Sequence, residues 1–262
     1  MARTKAVALT IAGSDPSGGA GVQADLKTFH QFRVYGEAVL TLLTVQNTLG
    51  VERVECLAPD LVADQIRAVV GDIPPGAAKT GALGNRAIIE AVAALAAGFS
   101  FPLIVDPVMV SKHGAVLLEA DAVGALKTRL LPLAFLLTPN LREAELLTGT
   151  EVRDVAGMRR AAETLAAFGP QAVLVKGGHL AGDSTDVLFY QGQWQEFTSP
   201  RIATRNTHGT GCTFSAAITA SLAHGYELPD AVERAKRYIT EAIRGNPGLG
   251  AGSGPLDHHA LL

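Results

Sequence analysis

Cysteine is scarce in this 262-residue sequence. Cys56 and Cys212 stand far apart, with no Cys-x-x-Cys and no histidine pair at metal-ligand spacing, which excludes a disulfide framework and a zinc site. A reducing compartment is expected. Charge is scarce too: charged residues make up 18%, the net charge is −3, the pI is near 6.2, and lysines and arginines form no run. That excludes a nucleic-acid groove, so any phosphate site must be local. Aromatics account for only 5%, leaving packing to Ala, Val and Leu, the composition of an α/β protein. No apolar run reaches the roughly 18 residues of a membrane span, and Met1–Lys5 leads directly into a strand, so neither a span nor a signal peptide is expected and the location implied is cytoplasmic. Repeats, low-complexity linkers and composition breaks are also missing, which favours one domain over residues 1–262.

What is present is a well-packed globular chain, 48% hydrophobic with a mean hydropathy of +0.23. Its organising stretch is Asn206-Thr207-His208-Gly209-Thr210-Gly211-Cys212-Thr213. From Phe214 to His224 the residues are almost all small or apolar, the pattern of a helix buried on most of its circumference. Glycines at 209 and 211 leave no Cβ in the way, so the free amides of the first helical turn can converge on one point. The result is an anion hole for phosphate. Cys212 sits at its mouth, where the helix dipole is expected to lower the thiol pKa. It is a candidate base or nucleophile, against the alternative of a small buried cysteine that only packs.

The remaining segments alternate short apolar strands with helices. Ala6–Ala12 is a strand followed by the glycine-rich loop Gly13–Gly21 and a helix over Val22–Phe32; the loop lacks a P-loop lysine and the dinucleotide glycine spacing. Such a loop lets a ligand approach the backbone at a strand's carboxyl end. Asp25, placed in the first helical turn, either binds a ligand or simply complements the dipole. Ala38–Val45 is a strand closed by Gln46, whose amide can read a heterocycle edge or merely cap the strand. Pro102–Val105 ends at Asp106-Pro107-Val108-Met109, followed by a polar hinge, Ser111–Gly114. A helix is expected over Ala120–Leu131. After strand Ala134–Leu137, Asn140 and Glu143 have the spacing of a capping box, or else face phosphates and hold Mg²⁺ through water. Strand Ala172–Val175 leads to Lys176, which either reaches a nucleotide phosphate or lies on the surface before a turn. Asp186–Tyr190 and Trp194–Thr198 form an edge hairpin. The paired His258 and His259 near the end read as exposed.

In this order, Ala12–Phe29, Val45–Thr48, Thr138–Asn140 with Glu143, Val175–His179 and Asn206–Thr213 resemble the ribokinase-like superfamily, and closely its hydroxymethylpyrimidine and phosphomethylpyrimidine kinase branch from thiamine biosynthesis. The likeness covers almost the whole chain. It implies a three-layer α-β-α sandwich with a central, mainly parallel sheet and a small edge hairpin, assembled as a homodimer. It also implies an enzyme that moves the ATP γ-phosphoryl group, with Mg²⁺, to 4-amino-5-hydroxymethyl-2-methylpyrimidine and then to its monophosphate. By that resemblance Gln46 and Asp25, with Gly13 and Val108, bind the pyrimidine, and Gly209, Thr210, Gly211 and Cys212 form the catalytic anion hole. Asn140, Glu143, Lys176 and His208 serve the nucleotide and phosphates, with Glu143 toward Mg²⁺. Cys212 occupies the place of the superfamily's base aspartate, so it would deprotonate or orient the substrate hydroxyl. Lys112, His113, His208 and Lys176 are candidates for neutralising the second substrate's phosphate. Pyridoxal-type kinases are the nearest alternative, and a non-catalytic pyrimidine sensor is a further one.

Overall fold

The computed structural model describes residues 5–112, 114–178, 180 and 182–261. Its centre is a sheet built from β1 (Val7–Ser14), β2 (Tyr35–Gln46), β3 (Val51–Cys56), β4 (Ala77–Thr80), β5 (Leu103–Val105), β6 (Leu136–Leu137), β7 (Ala172–Lys176), β8 (Ser184–Tyr190) and β9 (Gln193–Ser199). The strands lie in the order β3-β2-β1-β4-β5-β6-β7-β8-β9. Every pairing from β2 across to β7 is parallel, and only the additions at the edges, β3 on one side and the β8–β9 hairpin on the other, are antiparallel.

The two faces of the sheet feed two cores, because successive side chains on a strand point opposite ways. Leu9, Ile11, Leu103, Val105, Val173 and Val175 pack on one side, and Ala8, Ile104, Leu136, Ala172 and Leu174 on the other. The first core is covered by α2 (Pro59–Asp72), α3 (Arg86–Ala96), a short helical stretch α4 (Ala122–Ala125), α5 (Leu141–Thr148) and α6 (Val155–Ala166). The second is covered by α1 (Gly21–Gln31), α7 (Thr210–Ala223) and α8 (Leu228–Arg244). The outcome is the three-layer α-β-α sandwich.

Helix α7 is the most enclosed of the helices. Residues Thr213–Ser221 are all buried, and their hydroxyls have partners: Ser215 Oγ donates to the Cys212 carbonyl, Thr219 Oγ1 to that of Ser215 and Ser221 Oγ to that of Ala217, while Thr213 Oγ1 pairs with His258, so polar side chains inside the core carry little desolvation cost. Two sequence expectations are corrected. The helix expected over Ala120–Leu131 is regular only over Ala122–Ala125, then widens over Leu126–Leu130 and tightens over Leu131–Leu133; Gly124 weakens it and Pro132 removes an amide at its end. His258 is buried at 7% exposure and sits 3.2 Å from Thr213 Oγ1, because the final segment folds back over α7 and α8.

Among the described residues, one charged pair is wholly enclosed in the core. Asp25 and Lys79 are both fully buried, with Lys79 Nζ 2.8 Å from Asp25 Oδ2, which also accepts from Thr10 Oγ1 at 2.6 Å. Burial alone would lower the lysine's pKa, but the Asp25 carboxylate, the Cys212 sulfur and Asp106 raise it and hold the ammonium charged. Removing one member strands the other in a medium that solvates it poorly. Lys79→Met is therefore expected to cost about 3–5 kcal/mol in urea unfolding, and the double variant Asp25→Leu/Lys79→Met less than the single one. A double variant at least as unstable as the sum of the two singles would contradict this.

Candidate active site

The carboxyl ends of the parallel strands open into a cleft of about 960 Å³. Gly13 and Gln46 come to it from β1 and β2, Asp106 and Val108 follow β5, Asn140 and Glu143 follow β6, Lys176 ends β7, and His208–Cys212 open α7. All the sequence-predicted site residues line this cleft except Asp25. Asp25 is the fifth residue of α1, just past its first turn, and lies inside the core against Lys79. His113 lies outside the described residues.

On the β1–β2 side the loop after β1 is fixed by its own side chains. Asp15 Oδ1 accepts from the Ser17 amide at 2.9 Å and from Ser17 Oγ at 2.7 Å, and Oδ2 accepts from the Ala20 amide at 2.9 Å. Gln23 accepts from the Asp15 amide and donates to Ser14 Oγ. His208, 3% exposed, places Nε2 2.7 Å from Asp15 Oδ2 and 3.2 Å from the Gln46 amide. Burial pushes the Asp15 carboxyl up, but the bonds from His208 and Ser17 outweigh it and leave the pKa below the usual range. The sequence placed His208 with the phosphates; the structure turns its ring toward the Asp15 and Gln46 end.

Gly209 is the hinge between that loop and α7. Its φ is +81°, and a Cβ there would lie 1.8 Å from the Gly19 carbonyl oxygen, so only glycine fits. Just inside the helix, the Thr210 amide bonds to the Thr207 carbonyl and the Thr213 amide to that of Gly209. Among the described residues, no backbone partner stands against the first-turn amides of Gly211 and Cys212, at the cleft wall. Gly211 serves another purpose: a Cβ on it would sit 3.3 Å from Lys176 Nζ, so its bareness keeps the ammonium close to these amides.

Opposite stands a charged cluster. Lys176 Nζ donates to Asp106 Oδ1 at 2.8 Å; that carboxylate also accepts from Thr138 Oγ1 at 3.2 Å and from Ser215 Oγ at 3.4 Å. Burial would lower the Lys176 pKa, but Asp106, Glu143 and the Cys212 sulfur raise it. Asn140 and Glu143 form the capping box of α5: the Glu143 amide donates to Asn140 Oδ1 and the Asn140 amide to Glu143 Oε2. Glu143 is nonetheless at the cleft and 6% exposed. Burial, partly offset by Lys176 and reinforced by Asp106, lifts its pKa to about 7.

Cys212 departs from expectation. Its residue is half-buried, yet burial, with the carboxylates of Asp25 and Asp106, raises the thiol to about 12; Lys79 and a hydrogen bond from the Gly21 backbone only moderate this. The dipole at a helix start is worth at most a couple of kcal/mol, and withdrawal from water beside two carboxylates exceeds it. The thiol is neutral near pH 7. Sequence reasoning left four participants unassigned, Asp15 of the loop after β1 being the first. Asp106 tethers Lys176, and the buried pair of Lys236 and Asp186, 2.7 Å apart, holds the turn after Lys176 through the Gly177 amide. Asp106 had a readable signal, an acid at the end of a buried strand at the same level as Asn140 and Lys176. Lys236 had one as well: four residues after Val232 and three before Ile239, it falls on the apolar stripe of α8.

Comparison with known proteins agrees with this geometry. The phosphomethylpyrimidine kinase family model matches residues 15–257. A hydroxymethylpyrimidine/phosphomethylpyrimidine kinase of Synechococcus elongatus is 50% identical over 254 residues, covering 96% of this chain and 97% of its own. A bifunctional thiamine biosynthesis protein ThiED of Geobacter sulfurreducens is 53% identical over 252 residues; these are 95% of this chain but 51% of that protein, so the chain spans about half of its length. Among solved structures, the ADP complex of Bacillus subtilis pyridoxal kinase superposes with a TM-score of 0.90 at 39% identity, covering 98% of each chain. With a family model spanning nearly its full length, relatives at half identity and a cleft that gathers the same motifs, the chain is a kinase and belongs to the phosphomethylpyrimidine kinase family.

Proposed function

We propose that the protein transfers the γ-phosphoryl group of ATP to the hydroxymethyl oxygen of 4-amino-5-hydroxymethyl-2-methylpyrimidine, and then a second one to the resulting monophosphate. One observation carries the reading: the Gly211 and Cys212 amides lie in a single cleft between a heterocycle-sized polar end (Asp15, Gln46, His208) and a cationic end (Lys176). A phosphoryl group in flight between two oxygens needs charge stabilisation along its path more than covalent help. Amides at a helix start and a tethered ammonium supply that. The apolar wall of Ile202, Phe214, Ile239 and Ile243 suits the nucleotide's base.

Mg²⁺ fits this donor set. The Asp106 carboxylate raises the cost of ionising Glu143, a repulsion a divalent cation relieves, and the cation's preference is for carboxylate, water and phosphate oxygens. When bound with ATP, Mg²⁺ would neutralise phosphate charge. Glu143 would contribute by giving up its proton at about pH 7. Cys212 is assigned to orienting the substrate hydroxyl: a neutral thiol is a poor standing base, and a loose transition state asks for little deprotonation beforehand. Lys112 lines the same cleft and, with Lys176, is assigned to the phosphate of the second substrate. The reading further assigns one kinase domain working as a homodimer in the cytoplasm. Among the described residues no helix is long and apolar enough to cross a membrane.

A second reading, phosphorylation of pyridoxal-type alcohols, is favoured by the close superposition on a pyridoxal kinase. The two are separated by ADP release with Mg·ATP and four acceptors in parallel: hydroxymethylpyrimidine, its monophosphate, pyridoxine and pyridoxal. The largest kcat/KM is expected for the pyrimidines; a larger value for either pyridine compound would replace the proposal with the second reading, and turnover of the free alcohol alone would remove the second step.

Cys212 gives two further expectations. Because the thiolate fraction rises tenfold per pH unit below a pKa of about 12, alkylation by iodoacetamide in the free enzyme should keep accelerating through pH 10; a plateau centred near pH 7 would show an activated thiolate instead. Cys212→Ala should lower kcat by about 10- to 100-fold, the scale for a misplaced reacting hydroxyl, with Tm little changed. An unaltered kcat would return the residue to packing.

A further inference from the structure

His208 Nε2 faces two groups at once, and their chemistry is constrained. Asp15 is held as a carboxylate, its oxygens otherwise occupied by three donors from Ser17 and Ala20, and a carboxylate only accepts. At 2.7 Å from Asp15 Oδ2, Nε2 must therefore carry the hydrogen in either protonation state of the ring. As placed in the structure, it is the Gln46 amide nitrogen that lies 3.2 Å from that same Nε2, and it then faces an N–H. An NH₂ group there would set donor against donor, whereas a carbonyl oxygen would complete a three-centre bond, and the two ends of a glutamine amide are distinguished only by such a network.

The ring itself has little freedom to turn away. A Cβ on Gly19 would meet His208 Cδ2 at 2.5 Å, so that glycine exists to admit the imidazole, and the His208 amide is bonded to the Gly254 carbonyl at 3.1 Å. We propose that His208 is a specificity-determining positioning residue: anchored by Asp15, it turns the carbonyl of Gln46 toward itself and thereby aims the Gln46 NH₂ group into the cleft. Gln46 offers the substrate hydrogen-bond donors, so the ring edge it selects is one with an unprotonated nitrogen, an acceptor. An edge carrying a protonated ring nitrogen is disfavoured, since it would leave two donors facing each other.

This rests on the pyrimidine reading for the identity of the ring but not for the orientation of the amide, and the two can be tested apart. In ¹⁵N-labelled apoenzyme, the Gln46 side-chain amide protons should show fast exchange with water and no strong NOE to the His208 ring protons; a strong NOE, with protection from exchange, would overturn the assignment whatever the substrate. The variant Gln46→Glu tests the consequence. It keeps an oxygen for His208 but replaces the donor facing the cleft by an acceptor, so KM for hydroxymethylpyrimidine should rise about 10-fold or more with a smaller change in kcat. If Gln46 instead presents its oxygen to the substrate, Gln46→Glu preserves that contact, and an unchanged KM would contradict the proposal. Should the wild-type enzyme fail to turn over any pyrimidine, the functional reading falls while the NMR result still decides the orientation.

Discussion

The site depends on a backbone contact: the Gly209 residue, in the left-handed region, lies so close to the Gly19 carbonyl that no side chain can come between them. That contact presses the start of α7 against the loop that follows β1. The loop is prepared for it, because Asp15 gathers the Ser17 and Ala20 donors into a rigid turn, and His208, one residue before Gly209, is tied to the same Asp15. Two segments nearly two hundred residues apart in sequence thus become one wall. One part of the wall reads a heterocycle and the other presents amides to a phosphoryl group, and their spacing is set by peptide geometry.

Charge is arranged beneath and beside this wall in pairs. Lys79 with Asp25 lies in the core, close enough to Cys212 to influence it; Lys176 with Asp106 lies at the cleft. Buried pairs of this kind contribute little net stability compared with apolar packing. Their effect is on placement and field: each lysine is held charged in a poorly solvating environment, where its influence on nearby charge exceeds what it would exert in water. The two cations flank a thiol that burial keeps protonated. Cys212 therefore differs from a thiolate nucleophile, and the electrostatic work of transfer falls to amides and ammonium groups.

Much of this was legible in the sequence because it depends on local signals. Continuous apolar runs marked the buried parallel strands, the Gly-Thr-Gly-Cys turn marked the start of α7, and Asn140 with Glu143 announced the capping box that the structure forms. What was not legible depends on tertiary direction. Asp25 looked like a first-turn ligand residue, but α1 begins at Gly21, and the helical rotation carries its side chain inward to Lys79. The Cys212 pKa was misjudged because the dipole is visible in sequence while the enclosing carboxylates come from distant segments, Asp25 from α1 and Asp106 from the end of β5. His208 stands beside the anion turn in sequence, yet its ring points toward the substrate end. The chain direction at a glycine with positive φ cannot be read from its neighbours.

The central claim is that the migrating phosphoryl group sits on the Gly211 and Cys212 amides with Lys176 at its outer side. A crystal structure of the protein with a non-hydrolysable ATP analogue and hydroxymethylpyrimidine tests it most directly. The terminal phosphate should lie within hydrogen-bonding distance of both amides, with the substrate hydroxyl in line on the Gln46 side. A terminal phosphate bound elsewhere, leaving those amides facing solvent, would contradict the account.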